Sequence, residues 1–217
     1  MEKRKRRMDL SKMRKEYKKA KLDLAHTHVH PMRQFEEWMQ QALAAGIEEA
    51  NAMCLATATP DGKPSARMVL LKYFDEHGLV FFTNYESRKA RELQANPHAA
   101  LLFYWKELER QVRIEGVVEK VSRTESVRYF MSRPRGSRIA AWISPQSKII
   151  ESREVLLRWW EEFRRKGTEA LQAPAFWGGY RVRPQRVEFW QGRESRLHDR
   201  ILYVLEQGQW KRYRLAP

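Results

Sequence analysis

From about residue 51 onward, turn signals cut the chain into short apolar runs, and that rhythm decides what it can become. AMCLATAT is followed by the turn PDGK, SARMVLLKYF by the turn DEHG, and then comes LVFFTN. HAALLFYW and RQVRIEGVVEKV lie further on, and after Gly179 come YRVRPQRVEFW, RLHDRILYVLE and QWKRYRL. Runs of this length, with Gly, Pro, Asp and Asn between them, read as β-strands joined by turns. Helical segments intervene near 87–95, 124–132 and 151–166. A further one, PMRQFEEWMQQALAAG (31–46), precedes the strands, opening on proline and closing on glycine. Its Phe35, Trp38, Met39, Ala42 and Leu43 form one apolar stripe. Val155, Leu156, Trp159, Trp160 and Phe163 form another, which is expected to pack in the core. The sequence shows no internal repeat and no low-complexity linker. The prediction is a mainly β chain with flanking helices, an α+β fold of one domain built on an antiparallel barrel or sandwich.

A chain of 217 residues that is 42% hydrophobic and 12% aromatic can bury a real core. Its single cysteine, Cys54, rules out an internal disulfide and fits a reducing cytoplasm. The small apolar neighbours of Cys54 predict an inert, buried thiol. The longest apolar run, AALLFYW at 99–105, is far too short to span a bilayer, and no early stretch resembles a signal peptide. A soluble, cytoplasmic protein is expected. The net charge of +15 points towards nucleic acid, but residues 1–22 hold eleven Lys and Arg against three acids, a net +8. Only +7 is spread over the rest. Residues 1–22 therefore read as a basic, partly mobile leader and 23–217 as a single folded domain, with neither nucleic acid nor membrane expected as a partner.

In TNYESRKARELQANP (83–97), Ser87 is a candidate N-cap, which puts Arg88 and Lys89 in the first helical turn. The helix dipole disfavours cations there. A bound anion reverses that penalty, because backbone N–H groups and both side chains then converge on it; solvated surface charges are the plainer alternative. In RMVLLK (67–72) a period of two sends Arg67 and Lys72 to opposite faces of the strand, which implies two different partners. YFMSRPRGSR (129–138) sets Arg133, Arg135 and Arg138 around a Pro-Arg-Gly turn, with Tyr129 and Ser137 offering hydroxyls, a pattern suited to phosphate. In RLHDR (196–200) an extended backbone would place Arg196, His198 and Arg200 on one face. Such a row needs something negative or electron-rich opposite it. The sequence carries no Gly-rich phosphate loop, dinucleotide fingerprint or nucleophile elbow. HTHVH (26–30) alternates histidines without carboxylate or thiolate company, and no metal site is expected.

RMVLLK, FFTNYESRKA, LERQV, YFMSRPRGSRIAAWISPQS, FWGGYRV and VEFWQG…RLHDR, closing with RLAP, resemble the pyridoxine (pyridoxamine) 5′-phosphate oxidase family. They occur in unbroken order over roughly residues 10–217. The resemblance implies a homodimeric split β-barrel with FMN at the subunit interface. It also implies oxidation of pyridoxine or pyridoxamine 5′-phosphate to pyridoxal 5′-phosphate. Hydride would pass from the substrate 4′-carbon to the flavin, with O2 as electron acceptor and H2O2 as product. By motif, the implied FMN contacts fall on Arg67, Met68, Val69, Leu70, Leu71 and Lys72, and on Phe82, Thr83, Arg88 and Lys89. Gln111, Gln146, Ser147, Trp190 and Arg200 complete that set. The implied substrate contacts are Lys72, Tyr129, Arg133 and Ser137 for the phosphate, and Arg196, Leu197 and His198 at the pyridine ring. Arg196 and His198 take the catalytic role.

Arg14, Lys15, Glu16 and Tyr17 resemble a segment that folds over the occupied site in relatives. Phe82 stands where tyrosine is expected in bacterial relatives, which leaves a backbone contact there in place of a hydroxyl. KRKRR and HTHVH are not family hallmarks and take no role. The same fold hosts non-catalytic flavin- and haem-binding proteins, against which SRPRGS and RLHDR argue. A nucleic-acid binder, the third reading, would show steep salt dependence and no yellow colour.

Overall fold

Period-two alternation along the runs builds one antiparallel sheet of nine strands. The protein is represented by a computed structural model that describes residues 16–165 and 172–217, so Arg14 and Lys15 lie outside the described residues. The strands are β1 (Ala52–Ala58), β2 (Pro64–Leu70), β3 (Tyr73–Asp75), β4 (Gly78–Asn84) and β5 (His98–Trp105), followed by β6 (Arg110–Lys120), β7 (Trp177–Gln191), β8 (Asp199–Glu206) and β9 (Gln209–Leu215). Their order is β2-β1-β5-β6-β7-β4-β3, with β8 on β7 and β9 on β8.

The long β7 serves two neighbours in turn. Its first part pairs with β4, from Trp177 opposite Asn84 to Val182 opposite Leu79, and its second part pairs with β8, from Arg186 opposite Val204 to Gln191 opposite Asp199. Between the two parts, the pairing of β6 with β7 slips at Glu115/Gly116. A Cβ on Gly116 would lie 2.0 Å from the Arg183 carbonyl oxygen, so only glycine permits the close approach. The two ends of the order, β2 and β3, are joined by Leu71 and Lys72, whose N–H groups donate to the Asn51 carbonyl just before β1 and to the Val80 carbonyl on β4, each over 2.9 Å. The sheet thereby curls into a split barrel, the antiparallel, mainly β architecture that the rhythm predicts.

The helices are α1 (Pro31–Ala44), α2 (Arg88–Ala95), α3 (Arg123–Ser132), α4 (Arg135–Ile143) and α5 (Arg153–Arg165). The barrel interior is filled by the inward set of each strand, among them Met53, Leu55, Phe81, Leu101, Phe103, Ile114, Val187 and Phe189, all 0% exposed. α1 adds Phe35, whose ring centroid lies 4.9 Å from Phe74 and 5.0 Å from Phe103, and Trp38, 5.1 Å from Phe189. Burying each such side chain contributes roughly 1.5–3 kcal/mol, and this packing, more than intrinsic propensity, holds a helix of this length in place. Leu22 is buried in the same core.

The structure corrects several expectations. Leu43 is 62% exposed, so the α1 stripe ends at Ala42. Cys54 is only half-buried, because alternation turns it to the outer face while Met53 and Leu55 point in. None of the α5 stripe is buried; the helix leans on α4, with Phe163 stacked 6.1 Å from Trp142. α4 replaces the expected Pro-Arg-Gly turn, since Pro134 caps a helix whose first residue is Arg135. Proline and glycine are tolerated at such a start, where no intrahelical N–H bond is lost. Finally, residues 194–196 form a 3-10 turn, and β8 begins only at Asp199. Arg196 and His198 therefore do not share a strand face with Arg200.

Candidate active site

β2, β4 and the start of α2 meet α3 and α4 around a cavity of about 470 Å³. Arg67, Met68, Val69, Leu70 and Lys72 form one wall, and Phe82, Thr83 and Lys89 the next. Tyr129, Arg133, Ser137, Gln146 and Trp177 close it. Period two puts Arg67 and Lys72 on opposite faces, yet both reach this one cavity, because β2 stops at Leu70 and the alternation stops with it. The formally charged side chains in the lining are all basic: Arg67, Lys72, Lys89 and Arg133.

Lys89 sits at the second position of α2. Its Nζ donates to Gln146 Oε1 at 2.8 Å and to Thr83 Oγ1 at 3.2 Å, while the Thr83 hydroxyl donates to Gln146 Oε1 at 3.0 Å. Burial, and secondly the Arg67 charge, push the Lys89 ammonium down to about 8, with Glu92 opposing them. An ammonium depressed in this way is one that an anion would stabilise. The Ser87 hydroxyl makes no capping bond to the α2 backbone and instead accepts Lys89 Nζ at 3.5 Å, and the first turn holds no acid.

Phe82, Tyr129 and Trp177 form an aromatic stack. Phe82 lies 4.1 Å from Tyr129 and 5.4 Å from Trp177, at interplanar angles of 22° and 13°. Gly179 admits the Phe82 ring, since a Cβ there would stand 2.8 Å from the ring edge. The Arg133 guanidinium lies 4.7 Å from the Trp177 ring centroid, and burial lowers its pKa. Its Nη1 is buried and has no hydrogen-bond partner.

Other predicted residues take different places. Leu71 is 4% exposed and belongs to the core. Arg88 does not line the cavity; its Nε donates to Glu92 Oε1 at 2.8 Å. Ser147 follows Gln146 with a left-handed φ of 71° and stands outside the lining.

Gln111, Trp190, Arg200 and His198 form a second cluster, and none of them lines the cavity. Strand register sets a row across the sheet, with Tyr104 opposite Gln111, Gln111 opposite Trp190 and Trp190 opposite Arg200. Arg200 Nε donates to Glu188 Oε1 at 2.8 Å and its Nη1 to the Ala216 carbonyl at 2.8 Å. The hydrogen bond to Glu188 raises the Arg200 pKa. His198 lies 4.6 Å from Trp190, and its Nδ1 accepts the Arg193 N–H at 3.1 Å. Burial, then the Arg196 charge, lowers the His198 pKa. Because Nδ1 accepts, the neutral form of the imidazole carries its proton on Nε2. Before it come Ser195 and Arg196 with φ of 54° and 60°, a strained pair for residues other than glycine. Leu197 is 69% exposed.

Tyr17 covers this cluster, its ring 5.8 Å from Trp190 and 5.8 Å from His198. Backbone N–H groups of Lys18 and Lys19 donate to Glu109 Oε2 at 2.9 and 3.2 Å, which fastens the segment down. Glu16, next to it, is exposed and pairs with Lys18 at 3.8 Å. Of the histidines in HTHVH, His28 pairs with Glu37 at 3.1 Å and His30 caps α1. Among the described residues no group of three His, Cys, Asp or Glu could hold a metal ion.

A split barrel that lines one cavity with cations and stacked rings has the chemistry to receive a phosphorylated planar ligand. Residues 39–166 match the family model described as pyridoxamine 5′-phosphate oxidase. Residues 177–217 match that of the pyridoxine 5′-phosphate oxidase C-terminal dimerisation region. The chain belongs to the pyridoxamine 5′-phosphate oxidase family. A pyridoxine/pyridoxamine 5′-phosphate oxidase of Rubrobacter xylanophilus is 58% identical over 97% of this chain and 98% of that protein. One from Trichormus variabilis is 57% identical over 96% and 98%. Among solved structures, PhzG from Burkholderia lata in complex with tetrahydrophenazine-1-carboxylic acid superposes with a TM-score of 0.85 at 32% identity, covering 89% of this chain and 95% of that one. An FMN-binding protein of Nostoc punctiforme shares the fold at a TM-score of 0.69 and 19% identity, over 84% and 97% of the two chains.

Proposed function

We propose that this chain is an oxidase that holds FMN and converts pyridoxine 5′-phosphate or pyridoxamine 5′-phosphate to pyridoxal 5′-phosphate, with O2 as electron acceptor and H2O2 as product. One observation carries the reading: the buried, unpartnered Arg133 Nη1 in a cavity also lined by Arg67, Lys72 and Lys89. An unpaired buried guanidinium nitrogen is costly, and phosphate oxygens would satisfy it. Relatives that are 57–58% identical over nearly their whole length bear the name of this activity.

The donor set fits FMN. Lys89, Thr83, Gln146 and Arg67 would hold its phosphate, and Met68 to Leu70 would flank it. Lys72, Tyr129, Arg133 and Ser137 would take the substrate phosphate. FMN, when bound, supplies the two-electron acceptor for the substrate 4′-carbon. The phosphate anchors turn binding energy into orientation of that carbon. His198, whose Nδ1 is occupied by the Arg193 N–H and whose Nε2 is left for the ligand, and Arg196 would steer the pyridine ring and assist loss of the alcohol or amine proton. Tyr17 would exclude water from the ring end.

Because the Trp190–His198 cluster lies outside the cavity, we assign the two to different subunits of a homodimer. The C-terminal dimerisation match supports that assembly. No described helix is long and apolar enough to cross a membrane, and we place the enzyme in the cytoplasm. The test is optical. Purified protein should show flavin absorbance that bleaches when pyridoxine 5′-phosphate is added without oxygen and returns on aeration. Absence of flavin, or a spectrum that neither substrate changes, would overturn the reading.

A further inference from the structure

The acid that serves this cationic cavity stands behind its wall. Glu92, on α2, is 5% exposed and is not part of the lining. Its Oε2 accepts the Thr57 hydroxyl at 2.5 Å, the Ser65 hydroxyl at 2.6 Å and Arg67 Nη2 at 3.3 Å, while its Oε1 accepts Arg88 Nε at 2.8 Å. Arg67 is pinned further by the Leu55 carbonyl at 3.1 Å, Thr57 Oγ1 at 2.6 Å and Ser65 Oγ at 2.5 Å. One carboxylate thus organises two guanidinium groups drawn from β2 and α2. A buried ion pair contributes little net stability compared with apolar packing, so an arrangement this complete needs a reason other than holding the fold.

We infer that Glu92 is a positioning residue for the anion site, fixing the Arg67 guanidinium in the cavity wall without itself touching the ligand. This rests on the cavity being the flavin-phosphate site. Geometry requires Glu92 to be ionised. Burial works against that, but the Ser65, Thr57 and Arg88 hydrogen bonds hold its carboxyl down to about 2. The same charge acts on Lys89. The ammonium faces Arg67 from β2, Arg88 and Glu92 on its own helix, and Lys72, Tyr129 and Arg133 across the cavity, beside uncharged Thr83 and Gln146. Burial and Arg67 lower its pKa while Glu92 raises it. Removing the Glu92 charge therefore has two consequences: Arg67 loses its fixed direction, and Lys89 gives up its proton at lower pH.

Glu92→Gln tests this, because an amide presents N–H either to Arg88 or to the Arg67 side of the network, where only acceptors fit. FMN affinity at pH 7 should fall by about tenfold or more, the loss of a charge-assisted hydrogen bond. The loss should appear in the FMN concentration needed for half-activation rather than in turnover at saturating FMN. The pH above which FMN affinity declines should also move below the value near 8 set by Lys89 in the parent. Riboflavin, which lacks the phosphate, should bind parent and variant alike. Equal losses for FMN and riboflavin with an unmoved pH profile would reduce Glu92 to a pin between α2 and the sheet, and unchanged FMN affinity would remove the role altogether. Ser65→Ala, which keeps the charge but deletes one donor to Glu92 and one acceptor of Arg67, should weaken FMN in the same direction by less. It decides the matter if Glu92→Gln does not fold, and unchanged affinity there overturns the inference. Lys89→Ala is the control. If that variant keeps full FMN affinity, the site reading itself is wrong; if it loses affinity while Glu92→Gln does not, only the positioning role falls.

Discussion

Lys89 is the residue where chemistry and structure meet most directly. A lysine at the N-terminal end of a helix is misplaced against the dipole, and its ammonium is pushed down to about 8 by burial and by Arg67. Lys89→Ala should weaken FMN binding by about tenfold or more, a charged hydrogen bond being worth roughly 1.5–3 kcal/mol. The sign of the pH effect follows from the same group. Below pH 8 the ammonium is charged in the free protein and ready for a phosphate dianion. Above it, binding must take up a proton, so affinity should fall as pH rises. Flavin titrations from pH 7 to 10 check this: a flat profile for the parent would contradict it, and Lys89→Arg should flatten the profile by staying charged. His198 and Arg196 should fail differently. Arg196→Ala, and more mildly His198→Ala, should keep flavin while losing catalytic efficiency, because only ring orientation is lost. Loss of flavin from Arg196→Ala in an absorbance assay would reverse that assignment.

At the scale of elements, the strands were legible because alternation is local, and turn residues mark where it stops. The 3-10 turn before β8 was not, since Ser195 and Arg196 adopt left-handed φ without the glycine that usually signals it. α4 was hidden because proline and glycine near Arg135 read as a turn although both fit a helix start. Glu92 was invisible for another reason: its partners Thr57 and Arg67 are 35 and 25 residues away, and only the fold brings them together. The leader divides likewise. Tyr17 packs on Gly192, where a Cβ would stand 2.7 Å from the Tyr17 ring. Gly192→Ala should therefore displace Tyr17 without cutting the chain. Two aromatic contacts worth about 0.5–1.5 kcal/mol each would be lost, so kcat/KM should fall roughly tenfold with flavin content preserved. Deleting residues 1–20 should match that fall, and deleting residues 1–8 should not. Equal activity of the two truncations would remove the lid.

At the scale of the whole molecule, one chain holds the two halves of the proposed site apart. The cavity holds Arg67, Lys72, Lys89 and Arg133, while Trp190, His198 and Arg200 are held on another part of the sheet. If a two-fold axis brings the cavity of one copy against the Trp190 row of the other, each dimer has two sites, and each site draws on both chains. That arrangement makes a prediction no single-chain site can satisfy. Lys89→Ala breaks only the cavity side, and Arg196→Ala only the ring side. Each homodimer carries two damaged sites and should be nearly inactive at limiting FMN. When the two variants are unfolded together and refolded as an equal mixture, half the dimers are mixed. In each mixed dimer both lesions fall in one site and leave the other intact, so activity should recover to about a quarter of the parent value. Recovery should require subunit exchange, and mixing the folded variants without it should restore little. If refolded mixtures stay as inactive as the separate variants, both halves of the site belong to one chain. Light scattering that gives a mass near 26.0 kDa for active, flavin-loaded protein would equally exclude a site shared between two chains.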